Sequence, residues 1–190
     1  MPEVMILAKS LSGVDRGALA AHFLALDAED RRLRFGVPIG DAGIRDYVAR
    51  IDFDRDAAFG VYADNLSLLG VAHVAVADGA AELGVSVLEG HRGRGVGTAL
   101  LERAAAFARN RFIGTLFMHC LSENTAMMRI ARKSGMKIVT RGGEADARLT
   151  LPPLDAATIA AEWLQDSVAL FDYNLKNQVL AAHRLASLAR

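Results

Sequence analysis

The sequence predicts a mixed α/β domain in which helices flank a largely antiparallel central sheet, followed by a C-terminal helical extension. Residues 57–88 contain three short apolar runs separated by turn residues, which is typical of an antiparallel meander. A glycine-rich loop then leads into a segment with helical periodicity at residues 96–109. The pair Pro152-Pro153 marks the clearest boundary, so we expect a domain of residues 1–151 and an extension of residues 152–190.

The elements before the meander are predicted from short patterns. Residues 4–8 form an apolar run that suits a first strand, and residues 15–26 carry apolar side chains at helical spacing. The charge-dense residues 27–36 end at a glycine. Asp41 is the candidate cap of the next helix. The apolar positions of that helix are Ile44, Tyr47, Val48 and Ile51.

Strands and helices alternate from the meander onward. The meander is predicted to contain strands at 58–63, 68–76 and 82–88, separated by the turn signals Asp64-Asn65 and Asp78-Gly79. The later predicted elements are a helix at 96–109, a strand at 115–120, a short helix at 124–133 that Gly135 ends, and strands at 136–140 and 147–151.

The extension is predicted to form one or two helices within residues 155–190. Its apolar residues near helical spacing are Ile159, Trp163, Val168, Phe171, Leu175, Val179 and Leu180. Such a stripe has to be buried, either on its own domain or on a second subunit. We expect a homodimer formed through these helices.

Composition argues against several classes of protein. Of the 190 residues, 52% are apolar and 23% are charged, and the formal net charge is +0. This is a globular balance, with no overall electrostatic attraction to nucleic acid or anionic membranes. Cys120 is the only cysteine, so an internal disulfide and a Cys-x-x-Cys metal pair are both excluded. The N-terminus lacks a signal-peptide pattern, and no uninterrupted apolar span occurs. We therefore expect a cytoplasmic protein that binds no metal, nucleic acid or membrane.

The glycine-rich segment Glu89–Thr98 has the composition of a phosphate site. It places four glycines within eight positions between a predicted strand and a predicted helix. Glycines let the backbone approach a ligand closely, and the free N–H groups of a helix start favour an anion. Arg92 and Arg94 add two cations that a simple turn does not need. The segment therefore predicts phosphate binding, and its length suits a diphosphate.

Two common phosphate loops match this segment poorly. A P-loop ends in Gly-Lys-Ser or Gly-Lys-Thr, whereas this loop ends in Gly97-Thr98 without a lysine. A dinucleotide-binding fingerprint has the form Gly-x-Gly-x-x-Gly, but Thr98 occupies the place of its third glycine. That fingerprint also follows the first strand of a parallel sheet, and this loop follows an antiparallel meander.

The pattern Arg-x-x-Gly-x-Gly, at Arg92, Gly95 and Gly97, resembles the coenzyme A pyrophosphate loop of the GNAT acyltransferase superfamily. Asn124 begins a helix that runs to Gly135-Met136, which is similar to the Asn…Gly-Phe segment of that family with methionine in place of phenylalanine. The order of elements over residues 1–151 also matches. The resemblance implies an N-acetyltransferase that uses acetyl-CoA as co-substrate and acts on a primary amine.

The resemblance also implies roles for particular residues. The residues expected to hold the pyrophosphate are Arg92, Gly93, Arg94, Gly95, Val96, Gly97 and Thr98. The backbone of Val87 and Leu88 is expected to pair with the pantetheine arm as a strand would. Asn124 is expected to contact the pantetheine or the thioester, with Met127 beside it in the cofactor site.

Glu82 is the candidate general base for deprotonating the amine. It lies ten residues before Arg92, and glutamates near this position are the base in several GNAT enzymes. Strand parity places Glu82 on the same face as Gly84 and Ser86. The alternative is that Glu82 only caps the exposed end of a strand.

The general acid is harder to assign. Many family members carry a tyrosine seven residues after the asparagine, but this chain has Ala131 there. Cys120 and Ser122 are the candidate substitutes, with His119 beside them. For Cys120 the alternative is a buried, small apolar side chain.

The acceptor is expected to be a small amine or a protein lysine. Residues 31–35 resemble a stretch of bacterial protein-lysine acetyltransferases, although a salt-bridged helix face would have the same composition. Because the tyrosine is absent, the alternative function is a catalytically inactive GNAT-fold module that binds acyl-CoA or regulates a partner.

Overall fold

The computed structural model describes residues 5–77 and 79–188. The strands are β1 (Lys9–Leu11), β2 (Ala57–Tyr62), β3 (Leu68–Ala77), β4 (Ala80–Val87), β5 (Thr115–Leu121), β6 (Lys137–Arg141) and β7 (Glu144–Thr150). The helices are α1 (Arg16–Leu24), α2 (Ala28–Phe35), α3 (Asp41–Ala49), α4 (Val96–Arg109), α5 (Thr125–Lys133) and α6 (Ala156–Leu188). Short 3₁₀ turns lie at Gly13–Asp15 and Glu89–His91.

The seven strands form one sheet in the order β1-β2-β3-β4-β5-β7-β6. Five of its pairings are antiparallel, and β4 and β5 are parallel because helix α4 carries the chain between them. The parallel pairing is short, since only Ala80–Glu82 and Thr115–Phe117 are in register. The predicted mixed, largely antiparallel sheet with flanking helices is confirmed, and the middle of this sheet opens beyond Glu82.

Helices cover both faces of the sheet. Alternate residues of β3 point to opposite layers, so Val74 joins the core beneath α4 while Val71 joins the core beneath α1 and α3. Phe59 of β2 meets Phe107 of α4 edge-on, with ring centroids 5.7 Å apart. The two cores fix β4 between α4 on one side and the helices α1 to α3 on the other.

The extension is one helix of 33 residues, α6. Its first half is held on the domain by Arg103 of α4, which is 4% exposed and donates to Glu162 at 3.0 Å and to Asp166 at 2.7 Å. The Arg103 guanidinium also lies 4.3 Å from the ring centroid of Phe59. Elsewhere on α6, large apolar side chains are exposed at Ile159, Trp163, Leu164, Leu170, Phe171, Leu175, Val179 and Leu185. The homodimer stays a prediction.

The first strand lies later than its apolar run. Val4 lies outside the described residues, and Met5–Ala8 belongs to no strand or helix, whereas Lys9–Leu11 pairs with β2. Lys9 pairs with Gly60 and Leu11 with Ala58, and the β2–β3 register shifts just beyond Val61. The strand predicted at residues 4–8 is therefore wrong over residues 5–8, because an apolar run alone does not specify which residues pair in a sheet.

Asp41 does not cap helix α3. Gly40 is the N-cap and makes no side-chain hydrogen bond, and Asp41 is the first helical residue. The Asp41 carboxylate instead accepts from Arg31 of α2 at 2.7 Å. No helix within residues 5–77 and 79–188 is both long and apolar enough to span a membrane.

Candidate active site

The opening between β4 and β5 exposes backbone groups inside the sheet. The N–H of Leu88 donates to Leu69 O at 2.9 Å, which makes this pair hydrogen-bonded across β3 and β4. In an antiparallel ladder, alternate residues direct their backbone groups to opposite neighbours. Val85 and Val87 therefore direct theirs toward β5, which no longer pairs with β4 at this point. The N–H of Leu88 points toward β3, and Val85 was not among the residues predicted from the sequence. The pairing of Val87 and Leu88 with a pantetheine arm stays a prediction.

The glycine-rich loop adopts conformations that favour glycine. Gly93 and Gly95 have φ of 72° and 88°, and Gly95 is the N-cap of helix α4. The N–H groups of Val96, Gly97 and Thr98 are the first of the helix, where intrahelical acceptors are missing. A Cβ on Gly97 would lie 2.6 Å from Ile130 Cδ1, so the glycine lets α4 approach α5. The loop thus presents free N–H groups to the mouth of the sheet opening.

A cavity of about 320 Å³ joins this loop to the sheet opening and to helices α2 and α5. The predicted site residues that line it are Val87, Arg92, Gly93, Gly95, Val96, Gly97, Thr98, Asn124 and Met127. The lining does not include Leu88 or Arg94, and Arg94 is exposed. Most of the predicted cofactor residues are therefore brought together at one cavity.

Cations surround this cavity beyond those predicted. Arg129 and Lys133 of α5 line it, one helical turn apart. Their i, i+4 spacing in the sequence would have indicated two cations on one face of this helix. Arg92 donates from Nε to Val87 O at 3.1 Å, and its Nη2 forms an ion pair with Asp30 of α2. Together with the open edge of β4, these groups fit a ligand that carries phosphates on one end and a strand-like arm on the other.

Asn124 connects helix α5 to helix α2. Its side-chain oxygen accepts from the N–H of Met127 at 3.1 Å, which caps α5, and its Nδ2 donates to Leu33 O at 3.4 Å. The residue is 7% exposed, at the wall of the cavity. Ala131, which stands where many relatives have a tyrosine, is 1% exposed and packs in the core. No acid is supplied from that position.

A second cavity, of about 280 Å³, lies at the start of the opening between β4 and β5. Its polar lining residues include Arg34, Tyr47, His73, Glu82, His119 and Glu144. Glu82 is exposed and lies opposite Phe117 of β5. Because Arg34 lines both cavities, they meet at this side chain.

His119 and the predicted acid Cys120 both line the second cavity, and His119 has partners that favour its protonated form. Its Nδ1 donates to Asp146 Oδ1 at 2.9 Å, and its Nε2 lies 3.6 Å from Glu144 Oε2. The hydrogen bond to Asp146 and the charge of Glu144 raise the pKa of His119. Cys120 is buried, and burial raises the pKa of its thiol. The Ser122 hydroxyl donates to Gly143 O at 3.0 Å.

Two buried histidines lie behind the opening. His22 donates from Nδ1 to Leu68 O at 2.9 Å, and its Nε2 accepts from the Ser86 hydroxyl at 2.8 Å. Burial lowers the pKa of His22 to about 4, and burial likewise lowers that of His73 to about 4. Both rings are therefore neutral near pH 7.

Comparison with solved structures shows the same fold at low sequence identity. The GNAT domain of S. lividans PAT is 21% identical with a TM-score of 0.65, and the match covers 76% of this chain and 89% of that one. The ribosomal-protein-S18-alanine N-acetyltransferase of Escherichia coli is also 21% identical, with a TM-score of 0.58 and coverage of 80% and 96%. PaiA N-acetyltransferase of Thermoplasma acidophilum, solved in complex with coenzyme A, is 17% identical with a TM-score of 0.61 and coverage of 77% and 99%.

No curated protein sequence matches the chain significantly. The family model of the acetyltransferase (GNAT) family matches residues 25–136, which include helix α2, the meander, the glycine-rich loop and helix α5. This match spans more than half of the chain and contains the whole lining of the larger cavity. The chain therefore belongs to the acetyltransferase (GNAT) family.

Proposed function

We propose that the protein is an N-acetyltransferase that moves an acetyl group from acetyl-CoA to a primary amine by direct attack in a ternary complex. One observation carries this proposal. The cavity at the glycine-rich loop and the second cavity meet beside β4, where the sheet opens. A thioester entering from the loop and an amine entering from the other side would come together there. Membership in the family and the fold of the solved N-acetyltransferases support the same reaction class.

The larger cavity suits coenzyme A along its whole length. The pyrophosphate would accept hydrogen bonds from the N–H groups at the start of α4, whose positive dipole end stabilises anions. The pantetheine arm carries amide groups that can pair with the backbone of Val85 and with the N–H of Val87, as a strand would, while Val87 O accepts from Arg92. Arg92 would exchange its ion pair with Asp30 for the phosphate oxygens.

The proposed reaction uses one base and one acid. Glu82 takes a proton from the ammonium group, directly or through water, and the free amine attacks the thioester carbonyl carbon. The C–N bond forms, the attacking nitrogen releases its second proton to water, the C–S bond breaks, and the thiolate takes a proton from His119, which solvent then reprotonates. Because Asp146 and Glu144 raise the pKa of His119, a larger fraction of this side chain holds its proton at neutral pH.

The second candidate function is a GNAT-fold module that binds acyl-CoA without turnover. Ala131 is the observation that favours it, since no hydroxyl stands in the usual position of the acid. A regulatory module would then present the exposed apolar face of α6 to a partner.

Thiol release from acetyl-CoA with a panel of amines tests the choice between the two. We expect amine-dependent release for the enzyme, and coenzyme A binding without release for the module. In the enzyme, Glu82→Gln should lower kcat by about 10² to 10⁴, because general-base catalysis contributes that much.

Two measurements make the Glu82 test specific. Coenzyme A affinity should not change in Glu82→Gln, because Glu82 is not among the residues that line the larger cavity. Glu89→Gln, a change of the same kind in the turn after β4, should keep the wild-type rate. If the rate and pH profile of Glu82→Gln equal those of the wild type, the base is another group.

A further inference from the structure

The guanidinium of Arg34 rests on the backbone of Gly84 at the start of the sheet opening. A Cβ built on Gly84 would lie 2.4 Å from Arg34 Cζ, so only glycine leaves room for the cation. Gly84 is two residues beyond Glu82, the last residue of β4 that pairs with β5. The cation therefore lies where the two cavities meet.

Aromatic rings and a chain of hydrogen bonds hold Arg34 in place. Its Cζ lies 5.0 Å from the ring centroid of Phe35 and 5.7 Å from those of Phe23 and Tyr47. Its Nη2 donates to the Tyr47 hydroxyl at 3.0 Å, and that hydroxyl donates to His73 Nδ1 at 2.8 Å. The guanidinium is thus oriented before any ligand arrives.

No protein carboxylate neutralises this cation within residues 5–77 and 79–188. The groups in contact with its guanidinium are the Tyr47 hydroxyl and aromatic rings, and none is an Asp or Glu carboxylate. Arg34 Nε is buried and has no hydrogen-bond acceptor. After desolvation, the charge of Arg34 is the next cause that lowers the pKa of His73. The Arg34 side chain is half-buried, its Nε is unsatisfied, and no described carboxylate forms an ion pair with it, so an anion from outside would gain a charge-assisted contact there.

Glu82 and Arg34 carry opposite charges and line the same cavity without forming an ion pair. The Arg34 guanidinium lies against Gly84, which is two positions beyond Glu82 on β4, roughly 7 Å along the strand. The carboxylate of Glu82 suits an ammonium group, and the guanidinium of Arg34 suits a carboxylate in a two-pronged contact. A small molecule with both groups a few bonds apart would satisfy both side chains at once.

We propose that Arg34 binds a carboxylate of the acceptor, and that the acceptor is accordingly a free amino acid acetylated on the amine next to that carboxylate. This inference rests on the proposed acetyl transfer and specifies the chemical class of its acceptor. Arg34 is then a specificity-determining residue, and Gly84, Tyr47 and His73 position it.

Acceptors that differ only in the carboxylate test the proposal. Alanine is ethylamine with a carboxylate added, and lysine is cadaverine with the same addition. We expect kcat/KM with acetyl-CoA to favour alanine over ethylamine by about tenfold or more, which is the size of one charge-assisted contact. For lysine, mass spectrometry should place the acetyl group on the α-amine.

Two variants assign that preference to the guanidinium. Arg34→Met removes the cation and should bring the alanine-to-ethylamine ratio close to one. Gly84→Ala keeps the cation but displaces it, so it should lower the same ratio. Arg45→Met, the same change at an exposed arginine of α3 that lines neither cavity, serves as the matched control with an unaltered ratio. Coenzyme A affinity and thermal unfolding confirm that each variant is folded.

The outcomes separate this inference from the proposed function. Equal rates for alanine and ethylamine in the wild type overturn the inference and leave acetyl transfer standing. An equal loss for both acceptors in Arg34→Met also overturns it, since Arg34 would then serve the reacting oxygen. A preference for succinyl-CoA over acetyl-CoA that Arg34→Met abolishes assigns the carboxylate to the donor and overturns the acceptor assignment.

Calorimetry tests whether Arg34 binds the acceptor carboxylate, and it does not require turnover. N-acetylalanine should bind to the wild-type complex with coenzyme A about tenfold more tightly than N-ethylacetamide does, and Arg34→Met should remove the difference. Equal affinities of the two compounds overturn the inference, whatever the rates are.

Discussion

At the residue scale, the proposed role of His119 as acid ties the pH dependence of the proposed reaction to Asp146 and Glu144. Its hydrogen bond to Asp146 and the nearby Glu144 raise its pKa, so the acid form persists to a higher pH than for an isolated histidine. We expect the rate to fall as pH rises through this raised pKa, because the donor loses its proton. Steady-state rates measured against pH should show the decline.

The neighbouring carboxylate supplies the control for this prediction. Asp146→Asn should move the decline to lower pH, and His119→Gln should remove the part of the decline that belongs to this group. An alkaline side of the profile that is identical in the wild type and both variants would assign the acid elsewhere.

Residues of the site differ in how far the sequence could reveal them. The loop around Gly95 is contiguous, so its composition was sufficient to predict phosphate binding. Arg34, Tyr47 and His73 come from three elements and share no spacing pattern, and only the packing of α2 and α3 against the sheet brings them together. The strand toward which the Leu88 N–H points could not be derived from the sequence, because the direction of a backbone group depends on the β3–β4 register.

At the element scale, helix α5 contributes charge through one face. Arg129 and Lys133 line the larger cavity, while Arg132 does not. Replacing either of the first two by Ala should weaken coenzyme A binding by about 0.5 to 1 kcal/mol, the usual value of an exposed ionic contact, and should reduce its salt dependence. Calorimetry at two salt concentrations measures both quantities.

Arg132→Ala is the matched control on the same helix, and its affinity should stay close to that of the wild type. Repeating the titration with 3′-dephospho-coenzyme A identifies the phosphate involved. A loss in Arg132→Ala equal to that in Lys133→Ala would mean a diffuse effect of charge and no defined contact.

Helix α6 is attached to the domain through buried charge. Glu162→Gln would leave Arg103, which is 4% exposed, with Asp166 as its remaining ionic partner. Because an incompletely paired buried charge is strongly unfavourable, we expect a loss of about 3 kcal/mol in the free energy of unfolding. Asp172→Asn, which breaks the more exposed pair with Lys176, should lose less than about 1 kcal/mol in the same denaturant experiment.

The elements themselves were predictable where one local signal decided them. Helix α4 begins and ends as its periodicity predicted, since the glycine-rich loop fixes its start. The apolar spacing of residues 155–190 predicts one or two helices, and the structure has the single helix α6. The position of β1 depends on its pairing with β2, a distant part of the chain, which the apolar run at residues 4–8 does not encode.

At the scale of the whole molecule, the exposed face of α6 is the main surface still without a partner among the described residues. Trp163 and Phe171 are 71% and 70% exposed. The dimer expected from the sequence would bury them, so Trp163→Glu combined with Phe171→Glu should convert a dimer into a monomer in sedimentation experiments. Gln165→Glu, at an exposed polar position of the same helix, should leave the mass unchanged; a monomeric wild type contradicts the prediction.

The opening between β4 and β5 has a consequence for how the chain avoids self-association. Unpaired backbone along a strand is a template for another chain, and proteins usually confine such edges to the periphery and protect them there. Here the unpaired length of β4 lies in the centre of the sheet, at the base of a cavity walled by α2 and α5. A narrow ligand can reach this edge, whereas a second polypeptide strand with its own side chains is kept out by the walls. Helices α2 and α5, which wall the cavity, therefore also protect the unpaired part of β4 from aggregation.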